Sequence, residues 1–259
     1  MFSIRRVTQS PTSGVDFETA LTPAKRLQLF LEIKQFGILN WDPFPVRRIY
    51  VPKPDGRQRP IGIPTIKDRV IQGVVRNALE PEWEAHFEAS SYGYRPGRQV
   101  NDAISRINRI LMNPSKQWVF EGDLSQCFDK IDHSFLMSRL KYFPGAKLIE
   151  KWLKSGILYD LVYYETEEGT PQGSIISPLL CNIILHGLPL ELGIRKQADG
   201  RVHEYYSGGR TMLRFADDMK LERHFRYITT PRSRTVRDSF PSYGSPVKID
   251  QDRPSENRI

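Results

Sequence analysis

The chain has 259 residues, 39% hydrophobic and 26% charged, which suits one large soluble domain or two modest ones. Its 38 Lys and Arg against 30 Asp and Glu give a formal charge of +8 and favour an anionic partner such as nucleic acid. The two cysteines, Cys127 and Cys181, form no CxxC and no metal-ligand spacing, which argues against a disulfide framework or a zinc site and for a reducing compartment. No apolar run approaches membrane-spanning length, and the first residues lack the apolar core of a secretory signal.

Thr22 as N-cap, Pro23 at the first position and Gly37 at the end predict a helix, with Leu27, Phe30, Leu31 and Lys34 along one face. Val46–Val51 and Arg57–Ile63 read as the arms of a hairpin around the turn signal Pro54-Asp55-Gly56, with Lys53 and Arg59 on facing arms. From Arg47 to Arg76 there are 8 Lys or Arg against 2 Asp, most of the net charge, and a phosphate-binding role is expected for this block. Thr65-Ile66-Lys67-Asp68 is a capping box opening a helix with Ile66, Val70, Ile71, Val74, Val75 and Leu79 inward, ended or bent at Pro81.

The loop Ser91-Tyr92-Gly93-Tyr94-Arg95-Pro96-Gly97-Arg98 interleaves aromatics and arginines, which suits stacking and phosphate pairing with a nucleic-acid strand and equally suits a Tyr-anchored structural loop. Val100–Leu111 repeats apolar residues at helical spacing, with Ala103, Ile104, Ile107, Ile110 and Leu111 expected in the core. Trp118–Leu124 reads as a buried strand with Asp123 near its end, either a metal ligand or a backbone cap. Asp132 caps a helix, Ala146–Lys154 is another, and Ile157–Tyr164 alternates as a strand. Gly169-Thr170-Pro171-Gln172-Gly173-Ser174 is a tight loop whose small residues let a backbone or ligand approach, before an apolar helix.

Leu213-Arg214-Phe215-Ala216-Asp217-Asp218-Met219-Lys220-Leu221 places two acids between apolar runs, a pattern that alone reads as a polar turn. With Asp123 as a third acid, the set suits two divalent ions that activate a hydroxyl and steady a leaving pyrophosphate. Lys53 and Arg59 are then placed to clamp a triphosphate, and Gln172 to set an amide beside base or sugar. That is the chemistry of a template-directed nucleotidyl transferase.

Residues from about 4 to 221 resemble the reverse-transcriptase domain of bacterial and organellar group II intron-encoded proteins, mobile-element enzymes with maturase regions. The resemblance rests on six ordered motifs: Val51-Pro52-Lys53-Pro54-Asp55-Gly56 through Arg59-Pro60-Ile61-Gly62-Ile63-Pro64; Lys67-Asp68-Arg69; Ser91–Gly97; Asp123 with Phe128-Asp129-Lys130-Ile131-Asp132-His133; Gly169–Gly173; and Phe215-Ala216-Asp217-Asp218. It implies an α+β fold, the fingers and palm of a right-handed polymerase of reverse-transcriptase type without a thumb. It implies Asp123, Asp217 and Asp218 as catalytic and metal-binding residues, with two Mg²⁺ ions or Mn²⁺ in their place. Lys53, Arg59, Phe128 and Gln172 fall to nucleotide binding, Phe128 as the steric gate against a 2′-hydroxyl, and Arg69, Tyr94, Arg95 and Arg98 to nucleic acid. The partners implied are an RNA template (intron RNA), a DNA primer and dNTP, with no membrane; a bacterial cytoplasm or an organelle is the expected location.

The sequence departs from that pattern at Phe215, where Tyr is usual, at Ser174, where Gly is common, and at Met219, where an aromatic is usual. Residues 222–259 hold 4 Pro, 5 Ser and 8 Lys or Arg against 5 acids, with almost no apolar periodicity, and resemble no palm, thumb or maturase region. The expected organisation is therefore an N-terminal extension over 1–36, a reverse-transcriptase domain over 37–221, and an atypical disordered tail over 222–259, as in a truncated intron protein. Two other readings stay open on the sequence: a non-enzymatic, basic, maturase-like RNA-binding remnant, and a chain that does not fold stably.

Overall fold

A computed structural model describes residues 8, 11–54, 56–112, 116–124, 126–192, 194 and 211–224, with backbone alone for 116–121, 123, 211 and 218–224. The chain divides into two compact units, one of Met1–His86 with Phe128–Ile184, the other of Phe87–Cys127 with Leu185–Ile259. Both mix helices and strands, so the fold is α+β.

In the first unit, helix α1 (Pro23–Phe36) starts on Thr22, whose hydroxyl accepts from Lys25 N at 3.3 Å. Its buried residues are Leu29 and Ile33, while Leu27, Phe30 and Leu31 are exposed. The expected face was therefore the wrong one. Apolar residues surround this helix, so periodicity does not select a side; Arg26 does contribute an anchor, donating to the carbonyls of Ala20 and Leu21. Strands β1 (Val46–Pro52) and β2 (Gln58–Ile63) form the expected antiparallel hairpin, with Val51 opposite Arg59 and Arg47 opposite Ile63. Helix α2 (Ile66–Glu84) opens on the capping box and runs through Pro81, three residues beyond the expected stop. A proline this near a C-terminus removes one bond without ending the last turn. Ile66, Val70, Ile71, Val75 and Leu79 are buried as expected, and Val74 is exposed.

Helices α3 (Val100–Leu111, in the second unit), α4 (His133–Arg139), α5 (Ala146–Leu153), α6 (Ser177–Leu185) and α7 (Leu188–Glu191, also in the second unit) complete the described α-helices, beside the one-turn helices Ile38–Asn40 and Cys127–Lys130. On α3 only Ala103 and Ile110 are buried, while Ile104 and Leu111 are exposed, so the expected core stripe is narrower than the pattern suggested. The stretch 157–164 is not one strand. It folds as β4 (Ile157–Tyr159) and β5 (Val162–Tyr164), because Asp160 (φ 48°) and Leu161 (φ 63°) both turn left-handed, the geometry of a two-residue hairpin. The first unit's sheet runs β2-β1-β4-β5, with β4 parallel to β1.

Asp68 anchors the first unit. It is 1% exposed and accepts from the indole N–H of Trp41 (2.8 Å) and of Trp152 (3.0 Å), from the Thr65 hydroxyl (2.7 Å) and from Phe44 N (3.3 Å). Burial pushes its carboxyl above the ordinary range, against the pull of these four donors. One carboxylate thus ties α2 to α5 and to the segment before β1.

The second unit is built on a three-stranded antiparallel sheet in the order β3-β7-β6: β3 (Lys116–Asp123), β6 (Thr211–Phe215) and β7 (Asp218–His224). Strand β7 continues to His224, three residues into the segment expected to be disordered, because each of its residues from 218 onward pairs with β3. The rest of that tail lies outside the described residues.

Candidate active site

The three acids come to one end of the second unit's sheet. Asp123 is the last residue of β3 and pairs directly with Asp218, the first residue of β7. Asp218 also pairs with Phe215 at the end of β6, so Ala216 and Asp217 form the two-residue turn between them. Leu124 N donates to Asp217 O at 3.4 Å, fastening the turn to the chain leaving β3. Among the described residues no group of three His, Cys, Asp or Glu is assembled for a metal, and two of these three carboxylates lie outside the described side chains. The backbone register nevertheless gathers three oxygen-donor residues at one sheet end, a donor chemistry that fits a hard divalent cation.

The turn carries strain. Ala216 sits at φ 59°, a left-handed conformation that costs a non-glycine residue about 1 kcal/mol. The segment 90–93 supports it. Arg214 N donates to Ser90 O and Tyr92 N donates to Arg214 O, both at 2.9 Å, so this segment adds itself to the free edge of β6.

This changes the reading of the Ser91–Arg98 loop. Arg95 is 7% exposed, donates from Nη1 to the carbonyls of Glu88 (2.6 Å) and Ser91 (2.9 Å), and lies 5.3 Å over the Phe87 ring. Arg98 donates to Ala89 O at 2.6 Å and stacks 5.3 Å over Tyr92. Tyr94 is exposed, at φ 60°. Arg95 is therefore a structural arginine, and its assignment to nucleic acid is corrected: the guanidinium faces inward to buried carbonyls. The same correction applies to Arg69 in the first unit, 6% exposed, which donates to Pro64 O and Thr12 O. Glu88, also nearly buried, accepts from Gly187 N at 2.6 Å and lies 3.0 Å from His186 Nδ1. Burial would raise its carboxyl, but His186 and the Gly187 N–H outweigh that and hold it at about 2.

In the first unit, the basic block divides in the same way. Arg47 donates to Ser13 O and lies 5.7 Å over Phe17, Lys67 pairs with Glu32 at 3.1 Å, and Arg76 pairs with Glu80 at 2.6 Å. The hairpin end is different: Arg57 and Arg59 are exposed and Lys53 half-buried. Lys53 N donates to Arg57 O at 2.7 Å, continuing the ladder, and Lys53 lies two residues beyond Val51, the partner of Arg59. That register puts Lys53 and Arg59 on one face of the hairpin.

The glycine loop closes on this hairpin. Gly62 N donates to Gln172 O at 2.7 Å, and a Cβ on Gly173 (φ 115°) would meet Gly62 O at 2.8 Å. A Cβ on Gly169 would lie 2.8 Å from Asp129 O, so the small residues admit backbone from both sides, as the sequence predicts. Gln172 donates to Asp129 Oδ2 at 3.4 Å. Phe128, half-buried on the one-turn helix Cys127–Lys130, accepts from Thr170 N at 2.7 Å. Burial raises the Asp129 carboxyl, with Arg48 and Gln172 pulling it down.

Residues 51–222 match the family model described as reverse transcriptase (RNA-dependent DNA polymerase), about two thirds of the chain. The chain belongs to that family, whose members generally work with divalent metal ions on nucleic-acid templates and nucleotides. It is 36% identical over 208 residues to Protein YkfC of Escherichia coli (strain K12), covering 77% of this chain and 52% of that protein. It is 44% identical over 151 residues to the Group II intron-encoded protein LtrA of Lactococcus lactis subsp. cremoris, covering 56% of this chain and 25% of that protein. Maturase-like protein 1 of Euglena gracilis is 31% identical over 196 residues, 73% of this chain and 42% of that protein. The chain thus spans from a quarter to about half of the length of these relatives.

Proposed function

We propose that the chain carries out RNA-directed DNA synthesis of the group II intron type, on the fingers and palm of a right-handed polymerase. The observation that carries this is the strand register that pairs Asp123 with Asp218 and sets Asp217 in the adjoining turn. In this reading Asp123, Asp217 and Asp218 hold two Mg²⁺ ions, or Mn²⁺ in their place. Bound there, the ions supply an activated primer 3′-hydroxyl and a stabilised pyrophosphate leaving group.

Lys53 and Arg59, on one face of the hairpin, take the incoming triphosphate by charge-assisted hydrogen bonds. Phe128 crowds the sugar 2′ position and so favours a deoxynucleotide. Gln172, whose loop is locked to β2 through Gly62, offers its amide to the nascent pair. Tyr94, exposed on its loop, stacks on the template, an RNA of the intron class, with a DNA primer, while Arg98, which donates to Ala89 O, supports that loop.

The test is primer extension on an RNA template by the full chain with Mg²⁺ and dNTPs. Wild type extends the primer, and Asp217→Ala lowers incorporation by about 10³-fold, as expected for loss of a group that stabilises developing charge. Equal incorporation by the two proteins contradicts the reading. Steeply salt-dependent RNA binding without any incorporation would mark the chain instead as a basic, maturase-like RNA-binding protein.

A further inference from the structure

We propose that Gly93 and Arg214 are positioning residues that hold the Ala216-Asp217 turn, and with it the carboxylates of Asp217 and of Asp218 just after it, in the geometry a metal requires. This rests on the catalytic reading of Asp217 and Asp218 above. Four observations carry it, all within the second unit.

The turn is left-handed at a non-glycine residue, so its shape must be imposed by its surroundings. Arg214 imposes part of it. The side chain is 2% exposed, and Nη1 donates to Ala216 O at 2.9 Å, reaching forward two residues to the carbonyl of the strained residue itself. Gly93 imposes another part. A Cβ there would lie 2.2 Å from Ala216 N and 2.8 Å from its Cα and Cβ, so the backbone at 93 presses directly on the turn. Gly93 is not among the glycines of positive φ, so it is required for space and not for conformation.

The support is itself fixed at its far end. Ser90 and Tyr92 bond β6, Arg95 clamps the carbonyls of Glu88 and Ser91, and the Glu88 carboxylate is held by Gly187 N and His186. A strut anchored in this way transmits a fixed position to the turn. Neither Gly93 nor Arg214 needs to touch substrate to matter, because a displacement of about 1 Å at a reacting centre is enough to lose roughly 10²-fold in rate.

The experiment uses the full chain as wild type, Gly93→Ala, Arg214→Gln, Arg214→Lys, Gly97→Ala and Asp217→Ala. Gly97 is the control for strain without contact: at φ 70° an alanine there costs about 1 kcal/mol of stability, but its Cβ meets nothing within 4 Å and so does not press on the turn. Mn²⁺ affinity is measured by calorimetry, amide hydrogen exchange over residues 213–218 by mass spectrometry, and folding by thermal unfolding. Gly93→Ala and Arg214→Gln are expected to weaken Mn²⁺ about tenfold or more and to speed exchange over 213–218, with Arg214→Lys recovering part of both and Gly97→Ala keeping wild-type Mn²⁺ affinity and exchange at a somewhat lower unfolding temperature. Wild-type Mn²⁺ affinity in folded Gly93→Ala and Arg214→Gln, when Asp217→Ala has lost it, overturns the inference and leaves the catalytic reading standing. Mn²⁺ affinity unchanged in Asp217→Ala overturns the catalytic reading; the positioning inference is then decided by exchange alone, and unchanged exchange in both variants overturns it. Should Gly93→Ala fail to fold, the Arg214 pair decides by the same criteria.

Discussion

In the first unit Arg57 and Arg59 stand exposed on the β1–β2 hairpin; in the second, Arg95 and Arg214 are buried against backbone carbonyls. Both regions use a glycine loop as a brace: Gly173 lies against Gly62 of the hairpin and Gly93 lies against Ala216 of the carboxylate turn. The braces are alike, and the charges they serve are opposite. At the hairpin end Arg57 and Arg59 face outward, where the proposed function has Arg59 meet a triphosphate, while Arg47 near the hairpin's base donates to Ser13 O. Beside Asp217 and Asp218, Arg95 and Arg214 turn inward and satisfy carbonyls, which in the proposal above sets the shape of the loop and turn next to those acids. An arginine in a basic motif is therefore not by itself a contact to nucleic acid. Its carbonyl partners decide.

The sharpest way to break this comparison is at the inward-facing charges. Asp68 is the acidic case, and Asp68→Ala orphans two indole N–H groups and a backbone N–H in a buried site. At roughly 1–3 kcal/mol for each unsatisfied donor, a loss of about 4 kcal/mol in urea unfolding is expected. A loss under about 1 kcal/mol would mean that the inward charge is not an anchor.

Glu88 sharpens it through pH. Its carboxyl is held at about 2 against an ordinary 4.5, so the folded chain binds fewer protons than the unfolded chain between those values. Its contribution is complete above about 4.5 and is lost as pH falls towards 2, on the order of 3 kcal/mol in all. Unfolding measured across that window should show the loss, and Glu88→Gln should remove that part of the pH dependence.

The smallest effect separates the two kinds of arginine. Arg95→Ala should cost about 2 kcal/mol of stability and leave the salt dependence of RNA affinity unchanged, since it removes a buried donor from the Ser91 carbonyl and one of two donors from the Glu88 carbonyl. Lys53→Ala with Arg59→Ala should change stability by only about 0.5 kcal/mol. The same pair should raise the KM for dNTP about tenfold, for two charge-assisted hydrogen bonds lost to the triphosphate, while Arg95→Ala leaves that KM unchanged. The reverse pattern would invert the comparison.

Much of this was legible locally. The hairpin, its turn and its register follow from Pro54-Asp55-Gly56 between alternating arms, and the capping box at Thr65 predicts the start of α2 to the residue. The glycine loop's close approach follows from its small residues, and the gathering of three acids from their positions at strand ends. What local pattern does not carry is direction. Leu27, Phe30 and Leu31 repeat at helical spacing as well as Leu29 and Ile33 do, and only tertiary packing selects the second set. Asp68 reads as a cap, yet its strongest partners include an indole 84 residues away. Arg95 and Arg59 look equally free in a sequence, because the carbonyls that receive Arg95 are created by the fold of its own loop. Gly93 reads as turn punctuation; its reason is Ala216, far along the chain.

The most direct test of the central claim is single-nucleotide incorporation on an RNA template, measured across Mg²⁺ concentration for wild type and Asp123→Asn, with thermal unfolding alongside. The register that pairs Asp123 with Asp218 predicts that Asp123→Asn folds as wild type does, loses about 10³-fold in incorporation, and is not restored by added Mg²⁺. Incorporation by Asp123→Asn equal to wild type would contradict the assignment of this sheet end as the catalytic centre.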